Sequence, residues 1–519
     1  MRIINLIDVC GQLLNIIQKN NQTDKITEQF FRSKRKLLGS KERKFISQIV
    51  FATVRNLTLI KNIAEKNNFY ELLKHPDIFK NEPRNSICIM IQIILAEKFP
   101  QDFDYIDVSF VNYKTISNNS TSDNSEIYLN FIESVKSDLT IITNSYEFST
   151  ILTNIFSENI INYYLTINNH IKSIKKHTNL YGEFDSNNDA GFNTETIPNA
   201  IQIIAERYSF HIDFINLLIK HSEKINVGNF INLAESLNVP APICIRVNQT
   251  ISTTDKVINY LNANNIEAQK GKISNSCIVI NKRYQLIELD AYKKGAFVIQ
   301  DEASQLVALC ANPKPQDIIL DACAGAGGKS LHLADLQQDK STIIASDVEF
   351  LKIKEIPKRS ALSGFKSIQI AKSDKNGNIF LLKDSKQVKN KFDIVLIDAP
   401  CSGTGTIRRD PTKKFNVTPK TINKISEIQY QILMNYSKYV KNNGHLLYST
   451  CSIFPQENEL IVKRFLNENP DFSPEPIKKH LLEHNVILEN LNDDDFYITL
   501  YPFIHKTDGF FIAKLKRNN

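Results

Sequence analysis

One run constrains this chain more than any other: Phe392-Asp-Ile-Val-Leu-Ile-Asp398-Ala-Pro-Cys401-Ser-Gly-Thr-Gly405. Apolar, largely β-branched residues stop abruptly at an acid, a proline, a cysteine and two glycines. That pattern predicts a buried strand delivering a carboxylate and a thiol into a tight loop. Open α/β sheets place their ligands at such strand ends. Fifty residues later His445-Leu-Leu-Tyr-Ser-Thr-Cys451-Ser ends the same way, so two cysteines are expected to face one crevice.

The surrounding rhythm agrees. From Ala296-Phe-Val-Ile-Gln300 nearly to the C-terminus the order is strand, glycine or acid, helix, strand, which predicts an α/β domain with a doubly wound parallel sheet over 296–519. Residues 1–165 carry Ile, Leu and Phe at helical spacing and almost no glycine, predicting an all-helical domain broken by an exposed polar tract at 117–125. A linker is expected over 166–197, with an Asn-rich loop at 182–191. Residues 198–295 predict a small α+β unit: helices at 201–220, 230–237 and 255–262, a strand from Pro240 ending in Arg246 and Asn248, and strands at 278–281 and 284–289.

Composition excludes more than it assigns. A chain of 519 residues with 42% hydrophobic and 23% charged residues is an ordinary multidomain globular protein, and a net charge of +7 permits a polyanionic partner without requiring one. Clusters say more than the sum: Arg32, Lys34, Arg35, Lys36, Lys41, Arg43 and Lys44, then Arg408, Arg409, Lys413 and Lys414, are candidates for phosphate contact. The eight cysteines stand singly, with no CxxC, so neither a metal site nor a disulfide scaffold is expected and a reducing cytoplasm is. Cys10, Cys88, Cys244, Cys277 and Cys310 read as small buried residues. The first twenty residues predict a core-facing helix, not a signal peptide, and the longest apolar run, Ile87–Ala96, is far below the roughly twenty residues of a membrane span.

Two further motifs carry chemistry. Ile318-Ile-Leu-Asp321-Ala-Cys323-Ala324-Gly325-Ala326-Gly327-Gly328-Lys329 predicts a strand, a glycine turn and an immediate helix, with bare backbone and a positive helix end facing a ligand. Cys323 stands where a phosphate-binding Walker loop needs glycine, so that reading fails. Asp347 ends the next predicted strand and Asp374 the one after. Three successive strand-terminal acids would repel a pyrophosphate and suit a cationic adenosyl ligand, for which S-adenosylmethionine is the natural candidate.

These segments, together with Arg408-Arg-Asp-Pro411, Tyr448-Ser-Thr-Cys-Ser-Ile-Phe-Pro-Gln-Glu-Asn-Glu459, Pro240–Asn248 and Gly295–Gln305, resemble the Nop/Sun family of S-adenosylmethionine-dependent RNA cytosine-5 methyltransferases, closest to the bacterial type B enzyme of the small-subunit ribosomal RNA. The resemblance covers about 198–517. Gly325-Ala326 departs from the family's commoner Ala-Pro. The helical N-terminus bears a faint likeness to a NusB-like RNA-binding domain. The resemblance implies a class I Rossmann-like fold, a covalent adduct of Cys451 with cytosine C6, a release role for Cys401, and hydrogen bonding or protonation of N3 by Asp398. Lys329 would help lower a thiol's pKa. The cofactor would lie on Cys323–Lys329, with Asp347, Asp374 and Asp398 around it, and Arg246, Asn248, Arg408 and Arg409 would meet RNA. Ribosomal RNA is the expected substrate of a monomeric, metal-free enzyme. Transfer RNA and a silent ribosome-assembly factor are the alternatives.

Overall fold

The computed structural model describes residues 3–20, 24–35, 37–67, 69, 83–99, 102, 159–175, 196–282, 284–389, 391–489 and 491–519. The expected loops at 117–125 and 182–191, and Lys36, lie outside these. Two compact units emerge, Met1–Pro240 with Ile407–Val417, and Ala241–Thr406 with Thr418–Asn519. Their boundaries differ from the sequence expectation. The helices of 196–237 join the N-terminal helices, whereas the small sheet shares a unit with the large one.

The first unit is helical where described. Helix Ile3–Asn20 buries Ile7, Cys10, Leu14 and Ile17 completely, as the 3.6-residue spacing requires, against Ile49, Ile60 and Ile91 of the helices Ser40–Arg55, Leu57–Lys66 and Pro83–Lys98. Burial of each such side chain contributes about 1.5–3 kcal/mol. The single helix expected at 201–220 is two, Thr196–Tyr208 and Ile212–His221, broken at Ser209, whose φ is 56°. The break has a use: Ser209 Oγ accepts from the Thr58 and Leu59 N–H groups (3.0 and 3.3 Å), capping the start of Leu57–Lys66.

Lys414 corrects an expectation. Instead of meeting phosphate it is fully buried. Its ammonium donates to the Arg55 carbonyl (2.5 Å), the Tyr208 carbonyl (3.0 Å) and Asn238 Oδ1 (2.9 Å), and lies over the Phe210 ring. These acceptors stand at the C-terminal ends of three helices, where a cation meets the negative end of each dipole.

The second unit holds two sheets. In the smaller, β1 (Ile243–Val247), β2 (Gln269–Lys270), β3 (Cys277–Ile280) and β4 (Phe297–Ile299) pair antiparallel in the order β2-β3-β1-β4. The strand expected at 284–289 is absent, and a 3₁₀ turn, Leu286–Glu288, occupies its middle. The larger sheet comprises β5 (Ile319–Asp321), β6 (Ile343–Asp347), β7 (Ile368–Ser373), β8 (Ile379–Leu381), β9 (Phe392–Asp398), β10 (Val440–Thr450), β11 (Phe472–Pro474), β12 (Tyr497–Leu500) and β13 (Phe510–Arg517). Its centre, β7-β6-β5-β9-β10, is parallel, but β8, β11, β12 and β13 join antiparallel, so the expected parallel sheet is mixed at both flanks. The chain order reverses between β5 and β9. The crevice at that switch point is where an α/β sheet binds its ligand.

Candidate active site at the switch point

Neighbouring parallel strands β9 and β10 bring their ends together in register, with Asp398 opposite Ser449. Beyond the sheet the chains stay joined, Ala399 N–H donating to the Ser449 carbonyl and Gly405 N–H to the Cys451 carbonyl, both at 2.9 Å. Glycine at 405 is forced: a Cβ there would lie 2.0 Å from the Gly509 carbonyl oxygen. The consequence is that the half-buried thiols of Cys401 and Cys451 sit with Sγ atoms 3.3 Å apart. The hydrogen bond with Cys451, burial and the nearby Glu457 charge hold the Cys401 thiol well above its ordinary range.

Asp398 ends β9, three residues before Cys401. One carboxylate oxygen accepts from Lys329 Nζ at 2.6 Å, the other from Ser449 Oγ at 3.0 Å. The Lys329 ammonium is therefore directed to the carboxylate, not to a thiol, and packs over the Phe510 ring. Lys329 is buried, against the usual exposure of a lysine opening a helix.

The glycine loop follows β5. Gly325 adopts φ +52°, which a side chain resists, and donates its N–H to Asp347 Oδ2 (3.0 Å), while Asp347 Oδ1 takes the Glu349 N–H. No side chain caps the helix Gly328–Leu336, and a Cβ built on Gly325 or Gly328 would meet nothing within 4 Å. Bare helix start and open space above it form a cradle for a polar ligand. Burial pushes the Asp321 carboxyl up to about 7 and the Cys323 thiol well up, so Cys323 is unsuited to thiolate chemistry.

Other expected site residues are placed differently. Asp374 follows β7, but its oxygens accept from the Asn376 N–H, the Asn378 N–H and Asn378 Nδ2, all at 2.9 Å, closing its own turn. Arg246 and Asn248, expected to meet RNA, are buried. Arg246 pairs with Asp335 (2.5 Å) and donates to Gln300, and Asn248 Nδ2 donates to the Gly295 and Ser363 carbonyls. The arginine and asparagine tie the smaller sheet to helix Gly328–Leu336 and to residue 363, which leaves no donor at a surface. Arg408 is buried as well and Arg409 half-buried, within the helical unit.

Glu457 follows the second cysteine by six residues, where an acid would ordinarily face solvent. It is instead completely buried between the two cysteine loops. One oxygen takes the Ser402 N–H (2.8 Å) and Gln429 Nε2 (3.1 Å), and the other takes Ser402 Oγ and Ser452 Oγ (both 2.5 Å). This demand also sets the rotation of the helix Pro419–Ser437. Apolar Ile428 is 47% exposed, whereas polar Gln429 is fully buried. A serine directly after each cysteine was the available signal, because two buried hydroxyls need an acceptor.

An α/β sheet with its crevice at a topological switch, a glycine cradle after the first strand and an acid after the second defines the class I methyltransferase fold. Comparison with known proteins carries this further: residues 308–516 match the family described as "16S rRNA methyltransferase RsmB/F" and residues 221–286 its "ferredoxin-like domain". The chain carries both domains of the RsmB/F, or Nop/Sun, family of RNA methyltransferases. It is 33% identical over 282 residues to the Bacillus subtilis protein named "Probable ribosomal RNA small subunit methyltransferase B", a match covering 54% of this chain and 60% of that protein. It is 31% identical over 336 residues to the mouse "28S rRNA (cytosine-C(5))-methyltransferase", covering 60% and 40%. A solved structure of a methyltransferase homologue from Pyrococcus horikoshii superposes with a TM-score of 0.51 at 25% identity, covering 62% of this chain and 99% of that one. The chain spans less than two thirds of the length of these and similar curated relatives. Among the described residues no helix is long and apolar enough to cross a membrane.

Proposed function

We propose that this protein transfers a methyl group to C5 of a cytosine in RNA, with ribosomal RNA of the small subunit as substrate. The observation that carries the reading is the 3.3 Å apposition of two thiols at adjacent strand ends, beside a glycine cradle and a carboxylate. C5 of cytosine is a poor nucleophile until a thiolate adds to C6. The Cys451 thiolate forms that bond, the C5=C6 electrons moving towards C5 and the N3–O2 side of the ring. Asp398, held by Lys329 and Ser449, donates to or hydrogen-bonds N3 and steadies the charge. The cradle residues 323–329 with Asp347 would hold S-adenosylmethionine, which supplies the methyl cation equivalent.

Cys401, having given up its own proton to solvent, then takes the C5 proton as a thiolate, and the Cys451–C6 bond breaks with its electrons returning to sulfur. At rest Cys401 is held protonated, first of all by its hydrogen bond with Cys451. Once Cys451 is a thioether it carries no charge and accepts only weakly from the Cys401 S–H, so the Cys401 thiol becomes more acidic at the step that needs a base. RNA would also meet the helical unit, where Arg32, Arg35, Lys41 and Lys44 are exposed.

The test is transfer of labelled methyl to ribosomal RNA with nucleotide mapping. Cys451→Ala is expected to lose transfer, and Cys401→Ala to accumulate a protein–RNA adduct stable to denaturing electrophoresis. Wild-type turnover in Cys451→Ala, or absence of any adduct in Cys401→Ala, overturns the respective assignment.

A further inference from the structure

Glu457 is the point at which both cysteine loops are fixed. It is completely buried and receives four donors, the Ser402 N–H, Ser402 Oγ, Ser452 Oγ and Gln429 Nε2. Ser402 follows Cys401 and Ser452 follows Cys451, so each thiol is one residue from a ligand of the same carboxylate. No cation is among these partners, although a buried carboxylate most often has one. Four donors, two of them charge-assisted hydroxyl bonds at 2.5 Å, satisfy it instead.

The rest of the junction converges on the same point. Thr404 Oγ1 lies 3.1 Å from Ser452 Oγ and 3.2 Å from Ser402 Oγ. Asn458, the next residue, receives Thr450 Oγ1 at 2.6 Å and donates to the Ser452 carbonyl. Tyr448 donates its hydroxyl to the Glu457 carbonyl at 2.7 Å, and Gln429 also donates to the Pro400 carbonyl. Beside the backbone bonds Ala399–Ser449 and Gly405–Cys451, these side-chain bonds join the two loops through Glu457 and the residues it holds.

We propose that Glu457 is a positioning residue that sets the separation of Cys401 and Cys451 by anchoring Ser402 and Ser452 to a single carboxylate. It touches neither thiol, and its effect passes through the two serines. Its charge also raises the Cys401 thiol, behind the larger effects of the Cys451 hydrogen bond and burial. The role deepens the methyl-transfer reading of the same site, so one arm of the test is independent of turnover.

Phenylarsine oxide, RAs=O, condenses with two adjacent thiols to RAs(SR)₂ and water and binds single thiols weakly. Wild-type protein is expected to capture one equivalent, and Cys401→Ser and Cys451→Ser to lose that capture. Glu457→Gln, which keeps the shape but cannot accept both hydroxyls, and Ser452→Ala, which removes one arm, are expected to bind the arsenical at least about tenfold more weakly while melting as cooperatively as wild type. In methyl transfer the same variants are expected to lower kcat about a hundredfold with KM for RNA within about threefold, and Glu457→Asp to recover part of kcat. Folded Glu457→Gln and Ser452→Ala proteins that capture the arsenical as tightly as wild type overturn the proposal. Wild-type capture without cytosine methylation counts against the methyl-transfer reading alone.

Discussion

The helix Gly328–Leu336 carries an ion pair near each end, and the two are built from similar chemistry for different ends. Arg246–Asp335 is 2.5 Å long, with side chains 1% and 3% exposed; Lys329–Asp398 is 2.6 Å long, at 10% and 30%. The first is closed. Arg246 also donates to Gln300, and Asp335 also accepts from the Gln249 and Thr250 N–H groups. Burial pushes Asp335 up and Arg246 down, so the pair persists only because partners surround it. The second is open at its acid end, where Asp398 faces the crevice with the thiols. A charge saturated inside the protein holds parts together, and one left partly exposed beside nucleophiles can act on a substrate.

Breaking the closed pair is expected to have the largest effect. Arg246→Met leaves Asp335 buried without its cation and should lower the unfolding free energy by about 3–5 kcal/mol in urea titration, while the folded fraction transfers methyl groups normally. Arg246→Met with Asp335→Leu should recover most of that loss, and a double variant as weak as the single would break the comparison.

The open pair should respond in the opposite sense. Asp398→Asn or Lys329→Met is expected to lower kcat for methyl transfer about 10²–10³-fold while changing stability by less than about 1 kcal/mol. Equal losses of stability at both pairs would show that exposure does not separate them.

Acid offers a third probe of interior closure. His445 and His480 are depressed to about 4, in each case first by burial and then by the buried Lys514 charge. Unfolded imidazoles protonate near pH 6.5, so this stability is complete above about 6.5 and is lost as pH falls towards 4. The urea midpoint should drop across that window by the equivalent of roughly 2 kcal/mol, and His445→Gln with His480→Gln should flatten the drop.

The smallest effect belongs to the cradle. Gly328→Ala adds a methyl into open space at a helix start, so the fold should gain up to about 1 kcal/mol from helix propensity. S-adenosylmethionine binding, by calorimetry, should weaken severalfold. Unchanged affinity would place the cofactor elsewhere.

The sequence by itself carried the parallel strands that end in Asp321, Asp347 and Asp398, the glycine turn, and the expectation that two cysteines share a crevice. Each is local: an apolar run stopped by an acid or glycine needs only its own neighbours to be recognised. The tertiary structure decided what depends on partners distant in the chain. Arg246 looked like an RNA contact until Asp335, 89 residues away, closed around it. Lys414 became the meeting point of three helix ends, and Gln429 displaced Ile428 from the interior because Glu457 needed its amide. Periodicity reports which side chains avoid water, but the partner that satisfies a buried charge is fixed only when the chain has folded around it.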